Sequence, residues 1–249
     1  MRLIRLVKMA ALIAATFMYH ATANADAQAE VDAAMTSSPL VKVFQKRDWV
    51  GVSLFFGFQP AQPVSSKGLI IYPGAFVDPR AYAPLARHFA DLGYRAAVVT
   101  PPFNLGLLGS NYADYVKLYW KGDVNGWVIG GHSLGGVVAA DYVNIHRASW
   151  DLVDALFLLA AYPQDLANLA TLDIPITSIW GAVDGLTTEQ DIEDSKARLP
   201  AHTKYVRIEG GNHTQFYYSD TLQSDDNPAL ISRDAQQAIV EQEIATLLN

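Results

Sequence analysis

The most constraining stretch of this 249-residue chain is Trp127-Val128-Ile129-Gly130-Gly131-His132-Ser133-Leu134-Gly135-Gly136, where an apolar run passes through one serine straight into a helical pattern. Val128 and Ile129 read as a buried strand. Val137 to Ala140, with Tyr142, Val143 and Ile145, read as a helix with an apolar face. A chain that changes from strand to helix at a single residue makes a sharp, strained turn, and Gly131 and Gly135 leave the room that flanking side chains would fill. The G-x-S-x-G pattern makes Ser133 the candidate nucleophile. The backbone N–H of Leu134 and the positive end of the helix would then face an oxyanion forming on a molecule held by Ser133.

Around this stretch the chain alternates strands and helices. Leu69 to Tyr72, Arg95 to Val99, Asp154 to Ala160, Ile174 to Trp180 and Lys204 to Ile208 read as strands, with one or two antiparallel edge strands over Trp49 to Phe58. Helices are expected over Pro79 to Leu92, Tyr112 to Trp120, Gln164 to Leu169, Thr188 to Arg198 and from Ser232, a candidate N-cap, to Leu248. Near-continuous apolar strands separated by helices predict an α/β architecture: a mostly parallel sheet covered on both faces. One domain over 41–249 suits this length.

Residues 1–25 read as a secretory signal, with Arg2, Arg5 and Lys8 before the apolar run Met9 to Met18 and Ala23-Asn24-Ala25 as the cleavage site. The run is about half the ~20 residues that span a bilayer, so no integral membrane span is expected. Residues 26–40 read as a poorly ordered leader. Without the signal the chain carries 15 Lys and Arg against 25 Asp and Glu, a net charge near −10, which disfavours nucleic acid as a partner. The absence of cysteine excludes disulfides, thiolate metal ligands and a cysteine nucleophile. The expected location is periplasmic or secreted.

Four segments together resemble the α/β-hydrolase superfamily, in particular its small cap-less serine hydrolases: Leu69-Ile70-Ile71-Tyr72-Pro73-Gly74-Ala75, Gly130 to Gly136, Trp180-Gly181-Ala182-Val183-Asp184-Gly185, and Gly210-Gly211-Asn212-His213. The resemblance covers the chain from about Lys67 onward and implies an α/β-hydrolase fold. Only Ala161 to Asp173 occupies the place where relatives insert a cap, so the resemblance implies an open site.

A serine hydroxyl needs an imidazole to take its proton, and the imidazole needs a carboxylate to hold it. In the chain order expected of this fold, Asp184 follows a strand's C-terminal end, whereas the rivals Asp173, Asp191 and Asp194 lie before that strand or on a helix. Of six histidines, His213 follows the last strand on a flexible loop; His20, His88, His146 and His202 have bland accounts, and His132 reads as the variable residue of the elbow. Pro73-Gly74-Ala75 stands where many relatives carry His-Gly-X, so the Ala75 N–H is the expected second oxyanion donor, with Phe76 as the alternative. Phe76, Phe103, Leu105, Leu107, Leu108, Phe216 and Tyr217 are candidates to line a groove for an acyl or aryl group.

The expected activity is hydrolysis of a small-molecule or lipid-like carboxylic ester through an acyl-enzyme on Ser133, with no cofactor and no metal required. Thioester, lactone and amide hydrolysis, acyl transfer, and a non-catalytic binding role on the same fold are the alternatives. The oligomeric state is left open.

Overall fold

Eight strands form one sheet: β1 (Val41–Arg47), β2 (Ser53–Pro60), β3 (Lys67–Tyr72), β4 (Arg95–Val99), β5 (Gly126–His132), β6 (Val153–Leu159), β7 (Ile176–Gly181) and β8 (Lys204–Ile208). This computed structural model describes residues 27–146, 153–164 and 167–249; the signal expected over 1–25 lies outside them. The strand order is β1-β2-β4-β3-β5-β6-β7-β8. β1 and β2 pair antiparallel at one edge, β2 pairs antiparallel with β4, and every later pairing is parallel.

The parallel strands read as unbroken apolar runs because both faces are covered. Leu69 and Ile71 of β3 enter one core with Ala96, Val98 and Val128, while Ile70 and Tyr72 enter a second with Ala97, Val99 and Ile129. Alternate residues of each strand therefore feed opposite cores. Helices α1 (Ala27–Ala34), α2 (Ala83–Asp91), α3 (Tyr112–Tyr119), α4 (Leu134–His146), α5 (Glu189–Ser195) and α6 (Arg233–Leu248) complete the element order. α2 and α6 cover the first core, and α3 and α4 the second. The Ser232 hydroxyl caps α6 by accepting from the Ala235 N–H at 3.2 Å, as its position at the helix start requires. Among the described residues no helix is long and apolar enough to cross a membrane.

Three expectations are corrected. Residues 27–34 are a helix rather than a loose leader: Ala27, Val31 and Ala34, at helical spacing, are buried against the body of the protein. Tertiary contacts hold this alanine-rich segment, since Glu30 pairs with Arg233 and the Ala27 N–H donates to Asp220 Oδ1 at 3.1 Å. The run Trp49 to Phe58 splits, because the Asp48 carboxylate accepts from the Val50 and Val52 N–H groups at 3.0 and 2.8 Å and folds Trp49 into an exposed turn between β1 and β2. Finally, the described part of 164–169 is not helical. There the Arg198 Nε donates to the Pro163 carbonyl at 2.9 Å and the Leu169 N–H to the Arg198 carbonyl at 2.8 Å, tying the segment down as turns.

Candidate active site

The C-terminal ends of β3, β5, β7 and β8 carry the candidate residues, as parallel sheets place their ligand-binding groups. β5 ends at His132 and α4 begins at Leu134, so Ser133 alone makes the turn, with φ of 53°. Its N–H is spent on the Leu159 carbonyl of the neighbouring strand at 2.9 Å, which anchors the strained residue to the sheet. The flanking glycines are dictated by backbone: a Cβ on Gly131 would stand 2.5 Å from the Tyr72 carbonyl oxygen, and one on Gly135 would stand 2.2 Å from it. That closeness packs the end of β3, and the loop that follows it, against the elbow. The Leu134 N–H, first of its helix, has no acceptor among the described residues.

Asp184 follows β7 after two residues and is held from three sides. Its Oδ1 accepts the Leu186 and Thr187 N–H groups at 2.8 and 2.7 Å, and its Oδ2 meets His213 Nδ1 at 2.9 Å. Both side chains are fully buried. The imidazole thus has its Nδ1 fixed and its Nε2 buried with no partner among the described residues. No hydrogen bond joins the Ser133 hydroxyl to His213; instead the His213 ring lies 4.4 Å, centroid to centroid, from the ring of His132, the residue immediately before the serine. Hydrogen bonds of this kind often tighten only when substrate is bound.

Two side chains that the sequence reading passed over organise this pair. The Asp226 carboxylate is 8% exposed; its Oδ1 accepts from Gly185 and His213 N–H at 3.1 and 3.3 Å, and its Oδ2 accepts from the N–H and hydroxyl of Thr214 at 2.7 and 2.6 Å. It therefore ties the loop of Asp184 to the loop of His213. Gln236 of α6 exchanges two hydrogen bonds with the Asn212 backbone, at 3.0 and 2.9 Å, from the other side. In the sequence Asp226 sits in Asp225-Asp226-Asn227-Pro228, which reads as an ordinary turn.

His132 is not a free variable position. It is fully buried, its Nδ1 meets the Tyr82 hydroxyl at 2.8 Å, and Phe216 stacks on it with centroids 5.7 Å apart. Burial, and then the adjacent His213, push its pKa well below the ordinary imidazole value, so it stays neutral. Burial likewise raises the Tyr82 hydroxyl far above the usual phenol range.

Ala75 lies in the turn after β3, and its N–H has no acceptor among the described residues. The alternative donor is already used: the Phe76 N–H donates to the Asn104 carbonyl at 2.9 Å. Of the groove candidates, Phe76 and Phe103 are 75% and 84% exposed, Leu105 is half-buried, and Leu107 and Leu108 are exposed. Phe216 is corrected. Phe216 is 1% exposed beneath His132 and supports the site from within the core, whereas Tyr217 packs one side against Tyr82 and His132 and also borders a cleft. A cleft of about 380 Å³ opens beside Phe76, walled by α1, Val77 to Ala81 and Tyr217 to Thr221.

The geometry can be set beside known proteins. A family model described as "Alpha/beta hydrolase family" matches residues 68–238. A comparison with curated proteins finds no match. Among solved structures, the fold is similar to a hyperthermophilic esterase from the archaeon Pyrobaculum calidifontis (17% identity, 93% of this chain and 94% of that one, TM-score 0.62). It is also similar to an esterase from Mycobacterium tuberculosis (16% identity, 90% and 97%, TM-score 0.57) and to a carboxylesterase from Bacillus subtilis (10% identity, 91% and 98%, TM-score 0.60). At these identities the solved structures establish the shared architecture, while the family model spans most of the chain. With its eight-stranded sheet, its serine elbow after β5 and the matched span 68–238, the chain belongs to the alpha/beta hydrolase family.

Proposed function

We propose that this chain is an exported serine hydrolase of carboxylic esters. One observation carries the reading: the buried Asp184–His213 pair lies against the strained elbow that presents Ser133, beside two uncommitted backbone donors. Ser133 Oγ attacks the ester carbonyl while His213 Nε2 takes its proton, and Asp184 holds the imidazole by its Nδ1 proton. The Leu134 and Ala75 N–H groups stabilise the resulting oxyanion. Collapse of the tetrahedral intermediate expels the alcohol, which takes the proton from His213. Water, activated by the same imidazole, then releases the acid and restores Ser133. The exposed rings of Phe76 and Phe103 favour an apolar acyl or aryl group over a charged one.

Ser133→Ala is expected to lower turnover of short p-nitrophenyl esters by at least about 10⁴-fold with an unchanged melting temperature. Wild-type turnover in that variant would refute the nucleophile. Export rests on the N-terminal pattern of Arg2 to Ala25; the mature protein should begin at Asp26, and an intact N-terminus on protein recovered from the cytosol would refute it.

A further inference from the structure

Two hydrogen bonds link the residue before the nucleophile to the residue before the second oxyanion donor. The Gly74 N–H donates to the Tyr82 hydroxyl at 2.9 Å, and that hydroxyl meets His132 Nδ1 at 2.8 Å. The phenol oxygen has one proton to give. If it gives that proton to Nδ1, the phenol is satisfied as donor and acceptor, and His132 carries its own proton on Nε2. If Nδ1 carried the proton instead, the Tyr82 O–H would have no acceptor in a fully buried position. Either arrangement makes two hydrogen bonds and leaves one buried donor unpaired, the His132 Nε2–H in the first and the Tyr82 O–H in the second. Both are arrangements of a neutral imidazole, and both join His132 to Gly74 through the Tyr82 oxygen.

The clamp is tight. A Cβ at Gly74 would lie 2.9 Å from His132 Nδ1 and 3.1 Å from the Tyr82 oxygen, so the loop backbone itself rests on the two side chains. Ala75, whose N–H is uncommitted, follows Gly74 directly; Ser133 and Leu134 follow His132 directly. Phe76 is fastened on the far side by Asn104. The orientation of the Ala75 peptide is thus set between two anchors, one of them the Tyr82 hydroxyl.

We propose that Tyr82 and His132 are positioning residues that hold the Pro73-Gly74-Ala75 loop at a fixed distance from the elbow and so set the geometry between the two oxyanion donors. This rests on the reading of Ser133 as the nucleophile. Neither side chain touches the substrate; their effect passes through the backbone of Gly74. Because the oxyanion forms only along the reaction, misplacing a donor costs turnover rather than ground-state binding.

Three variants test it: Tyr82→Phe, which removes a single oxygen; His132→Leu, which removes the ring nitrogen that meets it; and His132→Asn, whose amide restores a polar partner near the Nδ1 position. Each is measured for ester kinetics, for inhibition by phenylboronic acid, which forms a tetrahedral adduct on a serine, and for amide exchange over Gly74 to Phe76. Tyr82→Phe and His132→Leu are expected to lower kcat about 10- to 100-fold with KM within about threefold. Inhibition should weaken by the same factor, and exchange over Gly74 to Phe76 should rise at least about tenfold while β8 is unchanged. His132→Asn should return to within about threefold of the parent in all three. Unchanged kcat and unchanged loop exchange, or a loss of kcat that follows global stability alone, overturns the clamp. If the parent protein neither turns over esters nor binds the boronic acid, the nucleophile reading fails; loop exchange in Tyr82→Phe then decides the clamp by itself.

Discussion

His132 and His213 make a natural comparison, because their rings touch and almost everything about them matches except the partner. Both are fully buried, each has Nδ1 engaged, and each leaves Nε2 without a partner among the described residues. His213 faces a carboxylate, Asp184, itself held by two backbone N–H groups; His132 faces the neutral phenol of Tyr82. A carboxylate stabilises the imidazolium formed when the ring takes a proton, and a phenol does so hardly at all. Two adjacent imidazoles at 4.4 Å also cannot both be charged without strong repulsion in so dry a site. In the proposed mechanism the anionic partner therefore favours His213 over His132 as the proton carrier.

The comparison breaks most readily at the base. His213→Ala should cost at least about 10⁴-fold in kcat/KM, and Asp184→Asn about 10³- to 10⁴-fold, whereas His132→Asn should cost no more than about threefold. Equal losses in the two histidine variants, measured with one p-nitrophenyl ester, would mean that the carboxylate does not divide the roles.

A smaller effect sharpens the same contrast through stability. The folded-state pKa of His132 lies well below its ordinary value of 6.5, so only from about one pH unit above 6.5 is the ring essentially neutral in both folded and unfolded chains and without pH dependence. As pH falls below about 6.5, the unfolded chain binds a proton that the folded protein refuses, and stability declines by at most about 1.4 kcal/mol per pH unit for that one group. Melting temperatures from pH 7.5 to 5 should fall more steeply for the wild type than for His132→Asn. Tyr82, His213, Phe216 and Tyr217 surround the ring and are common to both proteins, so the difference in slope belongs to His132. Parallel curves would show that the ring is protonated in the folded protein.

Much of the sheet was legible, for a local reason. The strands of a sheet covered on both faces are unbroken apolar runs, and Arg95–Val99 and Lys204–Ile208 have the bounds expected of them. Asp184 and His213 could be picked out because a strand end followed by glycine is itself visible in sequence. The helix Ala27–Ala34 gave only a weak signal: its eight residues are too few to be helical alone, and docking against Arg233 and Asp220 decides the matter. Phe216 was misplaced in the groove because an aromatic residue after a catalytic-type loop looks the same whether it points out of the core or into it.

The amino-acid order alone therefore determined the alternation that makes an α/β sheet, the glycine-flanked serine, and which acid and which histidine end on the same edge. Backbone periodicity and the need for glycine are properties of neighbouring residues, and they survive in a one-dimensional string. Only the tertiary structure decided the rest: that Asp226 fastens the loop of Asp184 to that of His213, that His132 is a buried partner of the Tyr82 hydroxyl, and that this hydroxyl, 50 residues from it, accepts from Gly74. Those roles depend on hydrogen-bond partners brought together by folding. No local pattern encodes the direction in which a buried phenol or imidazole will find its partner.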